Sequence, residues 1–108
     1  MKGEYAKALE YFLQSLEIAE KLEDKILQSV VLEDIAAIYQ LQGRLEQAQQ
    51  AATKSMRLSK EVGFMQRIRQ SASRLSDIYA DMGRYRQAYE NHLHFVEMKD
   101  SLVNETTS

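Results

Sequence analysis

Cysteine and proline are absent from this 108-residue sequence, and glycine occurs only four times. Without cysteine the chain can form no disulfide, no thiolate nucleophile and no cysteine-ligated zinc site, so the composition does not indicate a redox compartment. Without proline, and with few glycines, little in the sequence would interrupt a helix. The composition therefore favours a domain built from long helices.

An excess of positive charge and a long apolar run are also missing. The 14 Lys and Arg residues face 16 Asp and Glu residues, a formal net charge of -2, which gives no long-range attraction for nucleic acid or anionic lipid. We expect neither as a partner. No stretch has the length and apolar character of a signal peptide or a membrane span. We expect a cytoplasmic protein, and the sequence is equally compatible with an excerpt from a longer one.

Patterns that mark an enzyme are lacking too. The glycines are isolated, and the sequence contains no nucleophile elbow, phosphate-binding loop or His-Glu-x-x-His zinc pattern. The histidines, His92 and His94, are two residues apart, so on a helix they point about 200° away from each other and cannot share a metal or a proton. We expect no catalytic residue, no metal site, no cofactor and no enzymatic activity.

One stretch is rich in positive charge and is the only support for nucleic-acid binding. It contains Arg57, Lys60, Arg67, Arg69 and Arg74. No run of aromatic side chains alternates with these residues to stack on bases. Because acidic residues outnumber basic ones in the chain, we interpret the stretch as a solvated or ion-paired helix face.

The sequence repeats itself with an offset of 40 residues. At this offset glycines, large apolar residues and alanines align in three copies: Gly3, Gly43 and Gly83; Tyr5, Leu45 and Tyr85; Ala8, Ala48 and Ala88. The half of the unit that precedes the glycine occurs twice, so the chain contains two and a half units. A fixed period of this length is typical of repeat proteins in which each unit shields its neighbour.

The apolar pattern within each unit predicts two antiparallel helices. Leu32, Ile35, Ala36 and Tyr39 follow the spacing i, i+3, i+4, i+7 of an amphipathic helix. We predict an all-α antiparallel helix-hairpin superhelix whose five helices lie at about 4–22, 25–42, 44–62, 64–82 and 84–102. The second and fourth are the first helices of a pair, and the others are second helices. Residues 1–103 form one domain, and 104–108 form a polar tail.

Three kinds of residue shape the predicted turns and contacts. Gly43 and Gly83 are suited to the left-handed conformation that ends a helix. Asp24 can accept a hydrogen bond from the first amides of the next helix. The aligned alanines allow helices to approach closely. We assign the tyrosines Tyr39 and Tyr79 to packing, together with Met56, Met82 and Met98.

The run from Ile35 to Ser55 resembles the tetratricopeptide repeat. It has Ile35, Ala36, Tyr39, Gly43, Leu45 and Ala48 at the repeat's spacing, and Leu75, Ser76, Tyr79, Gly83, Tyr85 and Ala88 form a second copy. The period of 40 exceeds the usual ~34, and the closing proline of the repeat is missing. Ala52 and His92 stand where the family commonly has a large aromatic residue, and only Phe12 keeps that aromatic. The chain is similar to the longer variant in kinesin light chains and bacterial sensor regions, and residues 97–105 resemble the segment that closes such regions. The resemblance implies a protein-binding scaffold, with a signalling role as one expectation.

The resemblance also implies where a partner binds. In the family, ligands lie in a concave groove lined by first helices, which here gives Val30, Glu33, Ala37, Gln40, Leu41, Gln70, Ser73, Asp77, Ala80 and Asp81. None of these is Lys, Arg or Asn, so we reject the family's carboxylate-clamp mode. Asp77 and Asp81 are i, i+4 neighbours whose repulsion a basic partner would relieve, although a simple solvated face is the competing interpretation. We expect a protein or peptide of basic or apolar character.

The terminal helices carry more apolar residues than one buried face requires. The residues that lack a covering helix in the predicted stack are Tyr5, Leu9, Phe12 and Leu16 near the start, and Leu93 and Val96 near the end. Uncapped terminal repeats favour association. We therefore expect a homo-oligomer, and a structural oligomerisation module is the alternative function.

Overall fold

The computed structural model describes the backbone of residues 2–107 and the side chains of residues 3–97. Five α-helices follow one another and pack as antiparallel neighbours: α1 (Lys2–Lys21), α2 (Lys25–Leu41), α3 (Leu45–Val62), α4 (Met65–Asp81) and α5 (Tyr85–Thr107). The predicted all-α helix-hairpin fold is confirmed. α2 and α4 are the first helices of their pairs, and α1, α3 and α5 are second helices.

The two outer helices differ from their predicted bounds. α1 begins at Lys2, so Gly3 lies inside the helix and does not share the turn conformation of its aligned glycines. α5 continues to Thr107, five residues past the predicted end and through most of the predicted polar tail. Neither end contains a proline, and polar residues are compatible with a solvated helix. The polar composition of 104–108 therefore does not end the helix.

The turns between helices follow the predicted residues. Gly43 and Gly83 both have φ +76°, a left-handed conformation that costs glycine nothing. The amide of the next residue in each case, Arg44 or Arg84, donates 2.8 Å back to a tyrosine carbonyl of the preceding helix. Asp24 accepts a 2.9 Å hydrogen bond from the Leu27 amide and caps α2. These local contacts make the chain reverse direction between consecutive helices.

The hydrophobic core lies where α2, α3 and α4 meet. α2 contributes Val31, Leu32, Ile35 and Ala36, and the other two helices contribute Ala48, Ala51, Ala52, Leu58, Leu75 and Ile78. The predicted packing of Tyr39, Tyr79, Met56 and Met82 against this core is confirmed, whereas the Met98 side chain lies outside the described residues. α1 and α5 cover opposite ends of the stack, on α2 and α4 respectively.

Four buried serines interrupt this core and connect three helices. Ser29 of α2 lies 3.0 Å from Ser55 Oγ and 2.7 Å from Ser59 Oγ, both on α3. Ser55 Oγ lies 3.3 Å from Ser71 Oγ on α4. We call Ser29, Ser55, Ser59 and Ser71 the serine cluster. Its hydroxyls also donate to the Ser29 and Ser55 carbonyls and to Glu33, so burial leaves none of the four without a partner.

Candidate functional site

α2 and α4 lie side by side in the same direction, and a line of polar side chains joins them. Arg74 Nε donates to Glu33 Oε2 over 2.8 Å, and Arg74 Nη1 donates to Gln40 Oε1 over 3.3 Å. Gln40 Nε2 in turn donates to Asp81 Oδ2 over 3.0 Å. We call the surface of the two helices around this line the α2–α4 face. The charge-assisted bonds hold the two helices at one relative position.

The α2 residues predicted for the groove have different environments. Gln40 belongs to the polar line and is half-buried, as is Ala37 three residues before it. Glu33 is only 5% exposed, because Arg74 and Ser71 both donate to its carboxylate. Its carboxylate is therefore occupied within the chain and does not lie on an open groove.

Two further α2 residues predicted for the groove lie against α1 or the following turn. Val30 lines a groove that α1 forms with α2. Leu41 is exposed and lines a separate depression with Tyr5, Gln42 and Arg44. The structure therefore brings Gln40 and Asp81 together, but it separates Leu41 and Val30 from that contact.

The α4 residues predicted for the groove are more accessible. Gln70, Asp77, Ala80 and Asp81 are exposed, and Ser73 is half-buried. Within residues 3–97, no Lys or Arg forms an ion pair with Asp77 or Asp81. The donor that reaches Asp81 is the uncharged Gln40 amide. The negative charge of both carboxylates is therefore not neutralised by a direct ion pair in the described part of the chain.

Sequence reasoning missed Arg74 as a residue of this face. Arg67, Arg74 and Asp81 are spaced by seven residues and so lie on one stripe of α4, a signal that the sequence already contains. The interpretation of the basic stretch as partly ion-paired is confirmed for Arg74, whose partner is Glu33. Because Glu33 and Gln40 occupy its guanidinium, Arg74 does not supply a free clamp for a carboxylate.

Asp34 is a second residue that the sequence did not single out. It follows Glu33 on α2 and lines the groove between α1 and α2. Burial raises the pKa of the Asp34 carboxyl above its ordinary value, and the positive charges of Arg67 and Arg74 partly oppose that rise. The ionised carboxylate is thus partly deprived of water without gaining a direct ion pair among the described residues.

The residues predicted for self-association are partly used by the fold itself. Leu9, Phe12 and Leu16 pack against the core of the same chain, and Tyr5 is half-buried. On α5, Leu93 is exposed and Val96 is half-buried. The large apolar side chains that protrude most from the end helices are instead Tyr11, Ile18, Leu22, Tyr85 and Tyr89.

The described residues contain no group of three acidic or histidine side chains that could hold a metal ion. His92 lies near the Phe95 ring, with centroids 6.3 Å apart, and Arg69 lies over the same ring at 5.8 Å. The first contact lies within α5, and the second packs α4 on α5. Across the described part of the chain, no helix combines the length and apolar character needed to cross a membrane.

Comparisons with known proteins agree with this architecture. The sequence model described as tetratricopeptide repeat matches residues 1–61. The crystal structure of the TPR domain of Arabidopsis FLU has a similar fold, with a TM-score of 0.85 and 22% identity, over 91% of this chain and 82% of that chain. No curated protein matches. With more than half of its residues matched, the chain belongs to the tetratricopeptide repeat family.

Proposed function

We propose that the chain is a protein-interaction module that binds a basic peptide segment on the α2–α4 face. Tetratricopeptide domains generally act as protein-interaction scaffolds. The observation that carries the finer proposal is the pair of carboxylates on α4, Asp77 and Asp81, which are exposed and have no cationic partner among the described residues.

The electrostatics of the two carboxylates support a basic partner. Their positions are i, i+4 on one helix, where like charges repel by a few tenths of a kcal/mol. A lysine or arginine placed between them would replace that repulsion with attraction and would contribute chiefly to specificity and association rate.

The shape of the face supports an extended segment. Small residues, Ala37, Ser73 and Ala80, alternate with the larger polar ones on the two helices, so backbone could approach closely between them. The polar line from Glu33 to Asp81 fixes α2 against α4, so the surface is formed before a partner arrives. A preformed surface lowers the entropy cost of binding.

Peptide selection followed by titration tests the proposal. Peptides selected from a random displayed library on the chain would be rich in Lys and Arg, and calorimetry would measure their affinity. We expect Asp77→Lys combined with Asp81→Lys to weaken binding at least about tenfold, equivalent to ~1.4 kcal/mol, with helicity by circular dichroism unchanged. Glu10→Lys combined with Glu20→Lys makes the same charge change on exposed residues of α1 and should have little effect. Equal losses in the two double variants would contradict the proposal.

The proposed role is binding without catalysis. The described residues contain no group of three His, Cys, Asp or Glu side chains that could hold a metal ion, and the exposed polar residues predicted for the groove, Gln70, Asp77 and Asp81, are an amide and two carboxylates. A sensor or regulatory part of a bacterial signalling protein is compatible with such a module, and its support is the resemblance of the repeat length and of residues 97–105.

Self-association through α5 is a second candidate, favoured by one surface. Tyr85, Tyr89 and Leu93 are exposed at i, i+4, i+8 on α5, a single apolar stripe. End-to-end stacking of copies has less support, because α5 and α1 are both second helices and their contact would not repeat any contact within the chain. Two α5 stripes packed on each other would form a symmetric dimer.

Sedimentation equilibrium distinguishes this candidate. If α5 mediates a dimer, Tyr89→Lys yields monomers, while Tyr11→Lys on α1 leaves the dimer intact. Phe12→Glu is unsuitable for this purpose, because Phe12 packs against the core and a charge there would disturb the fold. A wild-type chain that stays monomeric at high concentration would exclude the candidate.

A further inference from the structure

A groove between α1 and α2 has no covering element among the described residues. It has a volume of about 340 Å³, and its lining includes Tyr11, Phe12, Ser15 and Ile18 from α1 and Val31 and Asp34 from α2. The side chains that protrude most, Tyr11 and Ile18, are 66% and 57% exposed. The groove is thus an apolar surface with a single carboxylate at its edge.

The same chain shows what fills the equivalent position one repeat later. Adding 40 to Tyr11, Phe12, Ser15, Ile18 and Val31 gives Ala51, Ala52, Ser55, Leu58 and Ser71, all buried. The element that covers them is α2, which lies antiparallel to α3 and beside α4 and reaches Ser55 and Ser71 through Ser29 and Glu33. The internal repeat therefore supplies a template in which a helix occupies the groove antiparallel to α1.

The template also specifies the charge of the occupant. In the covered position, Glu33 of α2 meets Arg74 at 2.8 Å. The residue 40 positions before Arg74 is Asp34, so the polarity of this contact is reversed in the open groove. The Asp34 carboxylate is exposed and forms no ion pair among the described residues, so it favours a basic residue at the place that Glu33 takes in the template.

Side-chain size in the groove is reversed as well. Tyr11 and Phe12 stand where Ala51 and Ala52 allow α2 to approach closely. Since Ser29 contacts Ser55 and Ser59 and the helices are antiparallel, the next turn of α2, with Leu32, lies opposite Ala51 and Ala52. An occupant of the open groove therefore needs a small residue where α2 has Leu32.

We propose that this groove binds an amphipathic helix of a partner protein, which lies antiparallel to α1, carries a basic residue opposite Asp34 and presents a small side chain to Tyr11 and Phe12. The site is additional to the α2–α4 face. Loss of either site leaves the other testable, because the two probes and the two sets of variants differ.

A pair of synthetic peptides tests this proposal. Both copy residues 25–42, which form the occupant in the template, with Leu32→Ala to make room for Phe12. One carries Glu33→Arg, and the other retains Glu33. The peptides carry fluorescein, and fluorescence anisotropy measures their binding. We expect the arginine peptide to bind about tenfold more tightly than the glutamate peptide, because replacing Glu33 by arginine turns repulsion by Asp34 into attraction.

Charge reversal on the protein provides the matched control. Asp34→Lys should invert the preference so that the glutamate peptide binds more tightly. Glu46→Lys makes the same change in net charge at an exposed residue of α3 and should leave the preference unchanged. A preference that is insensitive to Asp34→Lys would overturn the assignment of the groove.

Apolar substitutions test the location independently. Ile18→Ser should weaken the arginine peptide by at least about fivefold through lost apolar contact. Leu22→Ser, at an equally exposed residue of the same chain segment that does not line the groove, should not. Equal effects of the two variants, or no detectable binding of either peptide, would overturn the proposal.

Other occupants give different results. If the chain alone is dimeric by sedimentation equilibrium and Ile18→Ser makes it monomeric, the occupant is a second copy and the proposal is wrong. If the peptide binds this chain but fails to bind a longer form of the same polypeptide, a segment of that polypeptide occupies the groove. That result would also overturn the proposal of a partner protein.

Discussion

At the scale of single residues, Glu33 joins the packing of the fold to its surface. Among the described residues it is the only buried charged side chain, and Ser71 and Arg74 both donate to it. Glu33→Ala leaves a buried hydroxyl and a partly buried guanidinium without their acceptor. We expect a loss of about 2–3 kcal/mol in the free energy of unfolding, measured by urea denaturation.

An exposed ion pair provides the comparison for that loss. Glu46 accepts a 3.1 Å bond from Arg84, and both side chains are largely exposed. Glu46→Ala should change the free energy of unfolding by less than about 0.5 kcal/mol. Equal losses at Glu33 and Glu46 would show that burial adds nothing to the Glu33 pair.

Asp34 should make stability depend on pH. Because its pKa is raised in the folded chain, the folded state holds the proton more strongly than the unfolded state between the two pKa values. The contribution of the Asp34 carboxyl to the free energy of unfolding is therefore greatest in acid, and it is lost as pH rises through the folded-state pKa. Asp34→Asn removes this loss, so we expect the variant to gain stability relative to wild type between about pH 3.5 and pH 7. Urea denaturation of both proteins at the two pH values tests this. The same difference in the free energy of unfolding between the variant and wild type at both pH values would contradict it.

Local patterns predicted some residues well and distant contacts poorly. The packing of Tyr39 and Tyr79 follows from helical spacing within a few residues of each. The burial of Glu33 depends on Arg74, which lies 41 residues away, and helix periodicity alone marks Glu33 as a polar surface position. The candidate site was therefore predictable as a helix face, but its internal pairing was not.

At the scale of secondary-structure elements, the end of α1 departs from its repeat equivalent. Gly63 ends α3 with φ +78°, whereas Glu23, 40 residues earlier, has φ +55°. A side chain in this left-handed conformation is strained, and glycine is not. We expect Glu23→Gly to raise the free energy of unfolding by about 0.5–1 kcal/mol.

Thermal unfolding of the reciprocal pair measures this effect. Gly63→Ala introduces the strain that Glu23→Gly removes, and it should lower stability by about 1 kcal/mol. Gly3→Ala lies inside α1, where a Cβ meets no neighbouring atom within 4 Å, so it should be neutral or slightly stabilising. A destabilising Glu23→Gly would contradict the assignment of strain.

Element boundaries were predictable where a residue actively ends a helix. Gly43, Gly83 and Asp24 each form a specific turn or capping contact. The helix bounds beside them lie at the predicted residue or within one residue of it. The last helix has no such residue, and its end at Thr107 could not be inferred from polar composition alone.

At the scale of the whole molecule, the helices form a linear series of neighbours. Over the described chain, α1 has close backbone neighbours only in α2, and α5 only in α4, while α2 also contacts α4. Stability in such a series is a sum of nearest-neighbour terms. Native-state hydrogen exchange should therefore show the greatest protection in α2, α3 and α4 and less in α1 and α5. Equal protection in all five helices would indicate a single cooperative unit.

The serine cluster gives this series an uneven resistance to mechanical force. Hydroxyl bonds at one level tie α2, α3 and α4 together, and because hydrogen bonds are short and directional they break over a small displacement. If the two ends of the chain were pulled apart, α1 and α5 would peel away gradually, whereas the central three helices would rupture together at a higher force.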